Sequence, residues 1–216
     1  MPLPVAVGLG GTELLGDLEV PPNARGLVVF AHGTGSSRFS PRNRLVAHVL
    51  RDRGFASLLL DLLTESEEQA DLRTREYRFN IDLLADRVLS ALARMRDHHA
   101  VAGLPVGLFG ASTGAAAALV AAARDQSVRA VVSRGGRPDL AGEALQRVSA
   151  PTLLIVGGRA PRILDENQQA IEQLSAPYQF VVIRGATHLF EEPGALERVA
   201  ALAAAWFDQH LQQADG

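Results

Sequence analysis

Two amino acids are missing from this chain of 216 residues. No cysteine is present, so disulfide bonds, thiolate metal sites and a cysteine nucleophile are excluded. No lysine is present either, and all 21 basic residues are arginines. The missing lysine excludes Schiff-base chemistry, pyridoxal phosphate bound through lysine, and the lysine-dependent phosphate loop of nucleotide-hydrolysing proteins.

The chain also has little net charge and no long apolar run. A net charge of -3 gives no electrostatic reason to expect nucleic acid or an anionic membrane as a partner. No apolar run approaches the ~18 residues of a membrane span. The first five residues lack the basic and apolar regions of a signal peptide, which predicts a cytoplasmic protein. Length and composition, with 47% apolar and 21% charged residues, predict one globular domain over residues 1–216.

Short apolar runs alternate with helical patterns along most of the chain. Strands are predicted at 27–31, 55–61, 105–110, 128–133, 152–157 and 178–183, and helices at 41–53, 81–95, 113–124, 165–175 and 196–211. The charged stretch 64–76 predicts an exposed excursion, and residues 5–20 predict an antiparallel hairpin at one sheet edge. Repeated β-α-β order with apolar strands favours a parallel sheet covered by helices on both faces.

The first candidate site follows the predicted strand 105–110, because ligands bind at the carboxyl ends of parallel strands. The sequence Gly110-Ala111-Ser112-Thr113-Gly114 has the Gly-x-Ser-x-Gly pattern of a nucleophile elbow. In such a turn a strained backbone presents the serine hydroxyl above the sheet. Ser112 is therefore the candidate nucleophile. The alternative interpretation is a tight turn whose serine only caps the next helix.

A glycine-rich loop, residues 32–37, follows the predicted strand 27–31. Such a turn can aim backbone N–H groups at a developing oxyanion, together with the amide that follows the nucleophile. This pattern predicts an oxyanion hole formed by the amides of Thr34 and Thr113. The alternative is a dinucleotide-binding turn, which requires a third glycine where Arg38 stands. His32 is expected to hydrogen-bond this loop.

A histidine follows the last predicted strand, in Gly185-Ala186-Thr187-His188. In the elbow architecture the general base follows the nucleophile in chain order and lies in such a loop. His188 is therefore the candidate base, and the alternative is a loop histidine without a chemical role. Arg38, Arg42 and Arg73 are candidates for the mouth of the site, where they would favour an anionic substrate, or they are solvated surface residues.

Taken together, these residues resemble the α/β-hydrolase superfamily and, within it, the dienelactone-hydrolase-like branch. The resemblance spans nearly the whole chain and rests on residues 32–38, 41–43, 110–114, 133–139 and 185–190. It implies a single-domain α/β-hydrolase fold with a minimal cap. It also implies hydrolysis of small carboxylic esters or lactones, with no metal and no organic cofactor. Founding members of the branch use a cysteine nucleophile, and Ser112 occupies that position here.

The chain departs from this family at the third member of the catalytic triad. By similarity an aspartate would fall at position 160, where Ala160 stands. This acid orients the histidine and stabilises the imidazolium ion. Asp139, after the preceding strand, is the first candidate replacement, and Asp165, at the start of a predicted helix, is the second. The remaining possibilities are a slow Ser-His dyad and a catalytically silent fold that serves as a binding protein.

Overall fold

The computed structural model describes residues 2–212, so both ends of the predicted domain, Met1 and residues 213–216, lie outside the described residues. Its eight strands are β1 Leu3–Gly8, β2 Glu13–Glu19, β3 Gly26–Ala31, β4 Phe55–Leu60, β5 Val106–Ala111, β6 Val128–Arg134, β7 Thr152–Gly157 and β8 Tyr178–Ile183. They form one sheet in the order β1-β2-β4-β3-β5-β6-β7-β8. The predicted hairpin is confirmed: β1 and β2 pair antiparallel at one edge, β2 is antiparallel to β4, and all other pairs are parallel.

Within residues 2–212, six α-helices and one 3₁₀ segment accompany these strands, and the last helix follows the last strand. They are α1 Pro41–Asp52, α2 Glu65–Thr74, α3 Ile81–Arg96, α4 Thr113–Arg124, α5 Pro161–Ile171, α6 Ala195–His210 and the 3₁₀ segment Pro138–Arg147. The buried residues of α3 and α4 belong to one apolar cluster, and those of α1 and α6 belong to another. The predicted architecture, a mostly parallel sheet with helices on both faces, is therefore confirmed. No helix within residues 2–212 is long and apolar enough to cross a bilayer.

The central strands are apolar because both of their faces are covered. Every residue of β3, β4 and β7 is buried. Successive side chains alternate between the two clusters: Val29 packs with α3 and α4, and Phe30 packs with α1 and α6. This double coverage leaves the carboxyl ends of the strands, where the candidate residues lie, as the place for a site.

The charged stretch 64–76 is mostly exposed, as the sequence predicts, and it contains the helix α2. Its first turn is stabilised by a capping box between Thr64 and Glu67. Its end is tied down by Asp71, a buried carboxylate that accepts hydrogen bonds from the Tyr77 N–H, 2.9 Å, and from Arg78 Nε, 2.7 Å. Polar contacts hold this helix in place, so its sequence shows no apolar stripe.

The fifth helix differs from the sequence prediction. It begins at Pro161 rather than at residue 165, because proline suits the first helical turn. Ala160 is its N-cap residue and makes no side-chain cap. Asp165 therefore lies inside α5, exposed to solvent, and does not begin the helix.

Candidate active site

The backbone at Ser112 is strained. Its φ of 51° and ψ of -124° lie outside the regions that non-glycine residues ordinarily occupy. The turn is held by neighbouring backbone: the Ser112 N–H donates to the Arg134 carbonyl, 3.3 Å, and the Arg137 N–H donates to the Ser112 carbonyl, 3.1 Å. The Ser112 side chain makes no capping hydrogen bond to α4. The conformation is thus that of an elbow, and the capping interpretation does not describe it.

The two predicted oxyanion residues lie side by side. Thr34 Oγ1 and Thr113 Oγ1 are 3.1 Å apart. The approach of the loop depends on Gly33, because a Cβ there would lie 2.7 Å from the Ser112 Cβ. Thr113 is the first residue of α4, so its N–H has no acceptor within the helix. The structure therefore brings both threonines to the elbow that carries Ser112.

His32 stabilises this loop through hydrogen bonds of both ring nitrogens. Its Nε2 accepts a hydrogen bond from the Leu62 N–H, 2.9 Å, so the ring proton resides on Nδ1 and is donated to the Gly33 carbonyl, 2.9 Å. Burial holds the pKa of His32 below its ordinary value, which keeps the ring neutral. This histidine positions the loop, as the sequence predicts.

His188 lies against the segment that follows β6. A Cβ on Gly135 would lie 2.9 Å from the His188 carbonyl oxygen and 3.2 Å from Nδ1 of the ring. Gly135 has no Cβ, so this contact is avoided, and its backbone adopts a φ of 51°. Since Arg134, the preceding residue, accepts the hydrogen bond from the Ser112 N–H, the nucleophile candidate and the base candidate adjoin the same short segment.

The surroundings of His188 favour its neutral form. Burial lowers the pKa of His188, and the positive charges of Arg134 and Arg42 lower it further, whereas Glu166 acts in the opposite direction. Arg134 is itself buried, and burial together with Arg42 lowers its pKa to about 10, so it remains charged near neutrality. A neutral imidazole can accept a proton, as a general base must.

Of the three arginines predicted near the mouth, Arg42 is the one whose charge lowers the pKa of His188. Arg38 is ion-paired with Asp61, and Arg73 is exposed on α2. Arg134 is a residue of the site that the sequence patterns did not predict. The available signal was a charged residue directly after the predicted strand 128–133, since an ionic group at the carboxyl end of a buried strand lies at the site.

The structure does not place Asp139 in hydrogen-bond contact with His188. Its carboxylate accepts two hydrogen bonds from Arg137, from Nε at 2.9 Å and from Nη2 at 2.7 Å. Bidentate binding of this kind is strong and fixes the geometry of the pair. His188 Nδ1 is buried and has no hydrogen-bond partner. Asp165, the second candidate, is exposed on α5.

A cavity of about 40 Å³ adjoins the oxyanion residues. One wall is the loop with Thr34, together with Thr113, and the opposite wall is formed by α2 and its neighbours. Its apolar lining consists of leucines from the end of β4, from α2 and from α3, namely Leu62, Leu63, Leu72 and Leu84. Within residues 2–212, no group of three or more histidine, aspartate or glutamate side chains is arranged to hold a metal ion.

Comparison with known proteins agrees with this architecture. The chain is 57% identical over 208 residues to a protein of Mycobacterium tuberculosis named "Putative phosphoribosyl transferase". This match covers 96% of the chain and 46% of the relative, so the chain spans about half the length of that protein. A weaker match, 27% identical over 166 residues, is a Bradyrhizobium protein named "Probable 2-oxo-3-(5-oxofuran-2-ylidene)propanoate lactonase"; it covers 68% of this chain and 66% of that protein.

A solved structure and a family model match almost the whole chain. The crystal structure of dienelactone hydrolase from Anabaena variabilis superposes with a TM-score of 0.95 at 54% identity, covering 98% of this chain and 99% of that one. The model of the dienelactone hydrolase family matches residues 15–212. The chain has the α/β-hydrolase fold and belongs to the dienelactone hydrolase family.

Proposed function

We propose that this protein is a serine hydrolase that cleaves small carboxylic esters or lactones through an acyl-enzyme on Ser112. Membership of the dienelactone hydrolase family supports hydrolase activity. The observation that carries the proposal is the strained backbone of Ser112. The side chain of this residue makes no capping hydrogen bond to α4. A protein maintains such strain, of order 1–3 kcal/mol, where the surrounding structure requires it, and such residues cluster at active sites.

In the first half of the reaction, Ser112 Oγ attacks the carbonyl carbon of the substrate while His188 accepts the hydroxyl proton. The carbonyl oxygen becomes an oxyanion, which the amides of Thr34 and Thr113 stabilise; one such donor is typically worth about 10² to 10³ in rate. Collapse of the tetrahedral intermediate expels the alcohol, which takes the proton from His188. A water molecule, activated by the same histidine, then hydrolyses the acyl-enzyme and returns the proton to Ser112.

The substrate is proposed to be small. The cavity beside Thr34 and Thr113 has a volume of about 40 Å³, enough for a few water molecules or a short acyl group. Its lining combines leucines with the charged residues Asp61, Glu68, Asp71 and Arg78, so it offers both apolar and polar contacts to this end of the substrate. The similarity to the Bradyrhizobium protein, whose name describes a lactonase, supports a lactone as one form of the substrate. Neither nucleic acid nor a membrane is proposed as a partner.

A fluorophosphonate probe tests the nucleophile, and p-nitrophenyl esters test the acyl preference. The wild-type protein is expected to be labelled and to hydrolyse p-nitrophenyl acetate faster than p-nitrophenyl octanoate. Ser112→Ala is expected to abolish both labelling and hydrolysis. The matched control is Ser90→Ala, which removes a hydroxyl bonded to the Asp86 carbonyl on the exposed side of α3. It is expected to retain full activity.

The unpartnered Nδ1 of His188 favours a second candidate, a catalytically silent fold that binds a small ligand. Absence of labelling in folded wild-type protein would support this candidate and contradict the hydrolase. Labelling that persists in Ser112→Ala would show that another residue is the nucleophile.

A further inference from the structure

The imidazole of His188 has one ring nitrogen that the reaction scheme leaves without a role. Nδ1 is buried and has no hydrogen-bond partner. When His188 is protonated during the reaction, Nδ1 carries a hydrogen, and a buried donor without an acceptor is unfavourable because it has lost its hydrogen bond to water. A carboxylate near this nitrogen would remove that cost and stabilise the imidazolium ion.

The helix α5 is anchored at the segment that His188 touches. Asn167, which is fully buried, donates from Nδ2 to the Gly136 carbonyl, 3.0 Å. Gly136 directly follows Gly135, the residue over which Nδ1 of His188 lies. The second turn of α5 is thus bonded to Gly136, one residue after the glycine that lies beside the imidazole of His188.

Glu166, the neighbour of Asn167 on this turn, has a carboxylate oxygen that accepts no hydrogen bond. Its Oε1 accepts a hydrogen bond from Arg162 Nε, 2.8 Å. Its Oε2 is buried and lies 2.9 Å from Arg137 Nε as an ion pair, but it receives no hydrogen bond of good geometry. The side chain of Arg162 is 81% exposed, so its ion pair with Glu166 is weak.

We propose that Glu166 is the positioning residue for His188, supplying from α5 the carboxylate that the family aspartate would supply from position 160. This inference rests on the proposed function, since it assigns the third member of the same catalytic group. Glu166 lies six residues after Ala160 on α5, and its ion pair with Arg137 places its carboxylate beside the segment 134–137.

The charges around His188 agree with this assignment. Burial and the arginines at the end of β6 and on α1, Arg134 and Arg42, lower the pKa of His188, and Glu166 is the group that raises it. Asp139 shares Arg137 with Glu166 but uses both of its oxygens on that guanidinium. Glu166 therefore has an oxygen that accepts no hydrogen bond, whereas each oxygen of Asp139 already accepts one.

The test is Glu166→Gln, which keeps the shape of the side chain and removes its charge. The value of kcat/KM on p-nitrophenyl acetate is expected to fall at least tenfold on its plateau; loss of a directly bonded acid costs about 10⁴. The acid limb of the pH profile is expected to move to lower pH, because the imidazolium ion loses its stabilising charge. An NMR titration of the His188 ring is expected to show the same lowered pKa, independently of turnover.

The matched control is Asp165→Asn, which removes a carboxylate from the exposed face of the same helix. It is expected to leave the rate, the pH profile and the His188 titration unchanged. Ala160→Asp, combined with Glu166→Gln, is expected to restore part of the lost activity. An unchanged His188 titration in Glu166→Gln would overturn the inference, as would a loss of rate accompanied only by a lower melting temperature. Failure of wild-type labelling, by contrast, would overturn the proposed hydrolase and leave the titration as the test of Glu166.

Discussion

At the scale of single residues, the proposed function depends on the charges that surround one imidazole. Two arginines, Arg134 and Arg42, favour the neutral form of His188, and one carboxylate, Glu166, favours the protonated form. A base must be neutral to begin the reaction and must be stabilised once protonated. The arginines serve the first requirement and the glutamate serves the second, and each of these side chains can be substituted separately.

Arg42→Gln is expected to raise the pKa of His188, because it removes a positive charge that lowers this pKa. The acid limb of kcat/KM against pH should then move to higher pH, opposite to the change expected for Glu166→Gln. Arg42 is preferred to Arg134 because the latter is buried, and its loss would disturb the fold. Rates measured between pH 5 and 8 check the prediction.

The control for this change is Arg44→Gln. Arg44 lies on the same helix, α1, but its exposed guanidinium contacts Asp17 and Phe39 rather than His188. Its pH profile is expected to match that of the wild type. A shift of equal size in both variants would show that the general charge of α1, and not the position of Arg42, sets the behaviour of His188.

At the scale of elements, the elbow requires that a strand, a turn and a helix pack with almost no space between them. A Cβ on Gly114 would clash with the carbonyl oxygens of Ala31 and His32, at the end of β3. A Cβ on Gly110 would clash with the backbone of α4 at Ala115. These glycines therefore set the distance between β3, β5 and α4, and with it the position of Ser112 relative to the oxyanion loop.

Gly114→Ala is expected to lower the free energy of unfolding by about 3 kcal/mol, since rigid backbone on both sides cannot move away from the added methyl group. Chemical denaturation provides the measurement. Gly8→Ala is the control, because a Cβ at that position meets no atom within 4 Å. A change within about 0.5 kcal/mol is expected there. Equal stabilities of the two variants would refute the close-packing argument.

At the scale of the whole molecule, one sheet joins two apolar clusters. The strand β3 contributes Val29 to the cluster with α3 and α4, and Phe30 to the cluster with α1 and α6. Neither cluster can melt without uncovering one face of the same strands. This coupling predicts that the chain unfolds as a single cooperative unit, as one domain would.

Thermal unfolding followed by two probes checks this prediction. The single tryptophan, Trp206, is buried on α6 and reports one side of the sheet through its fluorescence. Far-UV circular dichroism reports all helices and strands. The two melting curves are expected to coincide. A tryptophan transition that precedes the loss of circular dichroism would show that the α1–α6 side unfolds separately.

Much of the fold and part of the site could be predicted from the sequence because the physical cause is local. Apolar runs bounded by glycine or polar residues predict buried strands, and the bounds of α4, β7 and β8 agree with those predicted. Gly110, Ser112 and Gly114 lie within five residues, and their spacing between an apolar strand and a helix predicts an elbow. The prediction of His188 as the base follows from chain order, since this histidine lies in the loop after the last strand.

Tertiary structure decided which charged groups surround the imidazole, because these residues are distant in sequence and compete for partners. Asp139 lies in the segment expected for an acid, but Arg137 binds both of its oxygens. Glu166 is held in place by its ion pair with Arg137 and by the hydrogen bond of its neighbour Asn167 to Gly136. The helix that carries it begins four residues earlier than predicted. Periodicity can predict a helix, but its rotation and its ion pairs depend on the surfaces that it meets in the folded chain.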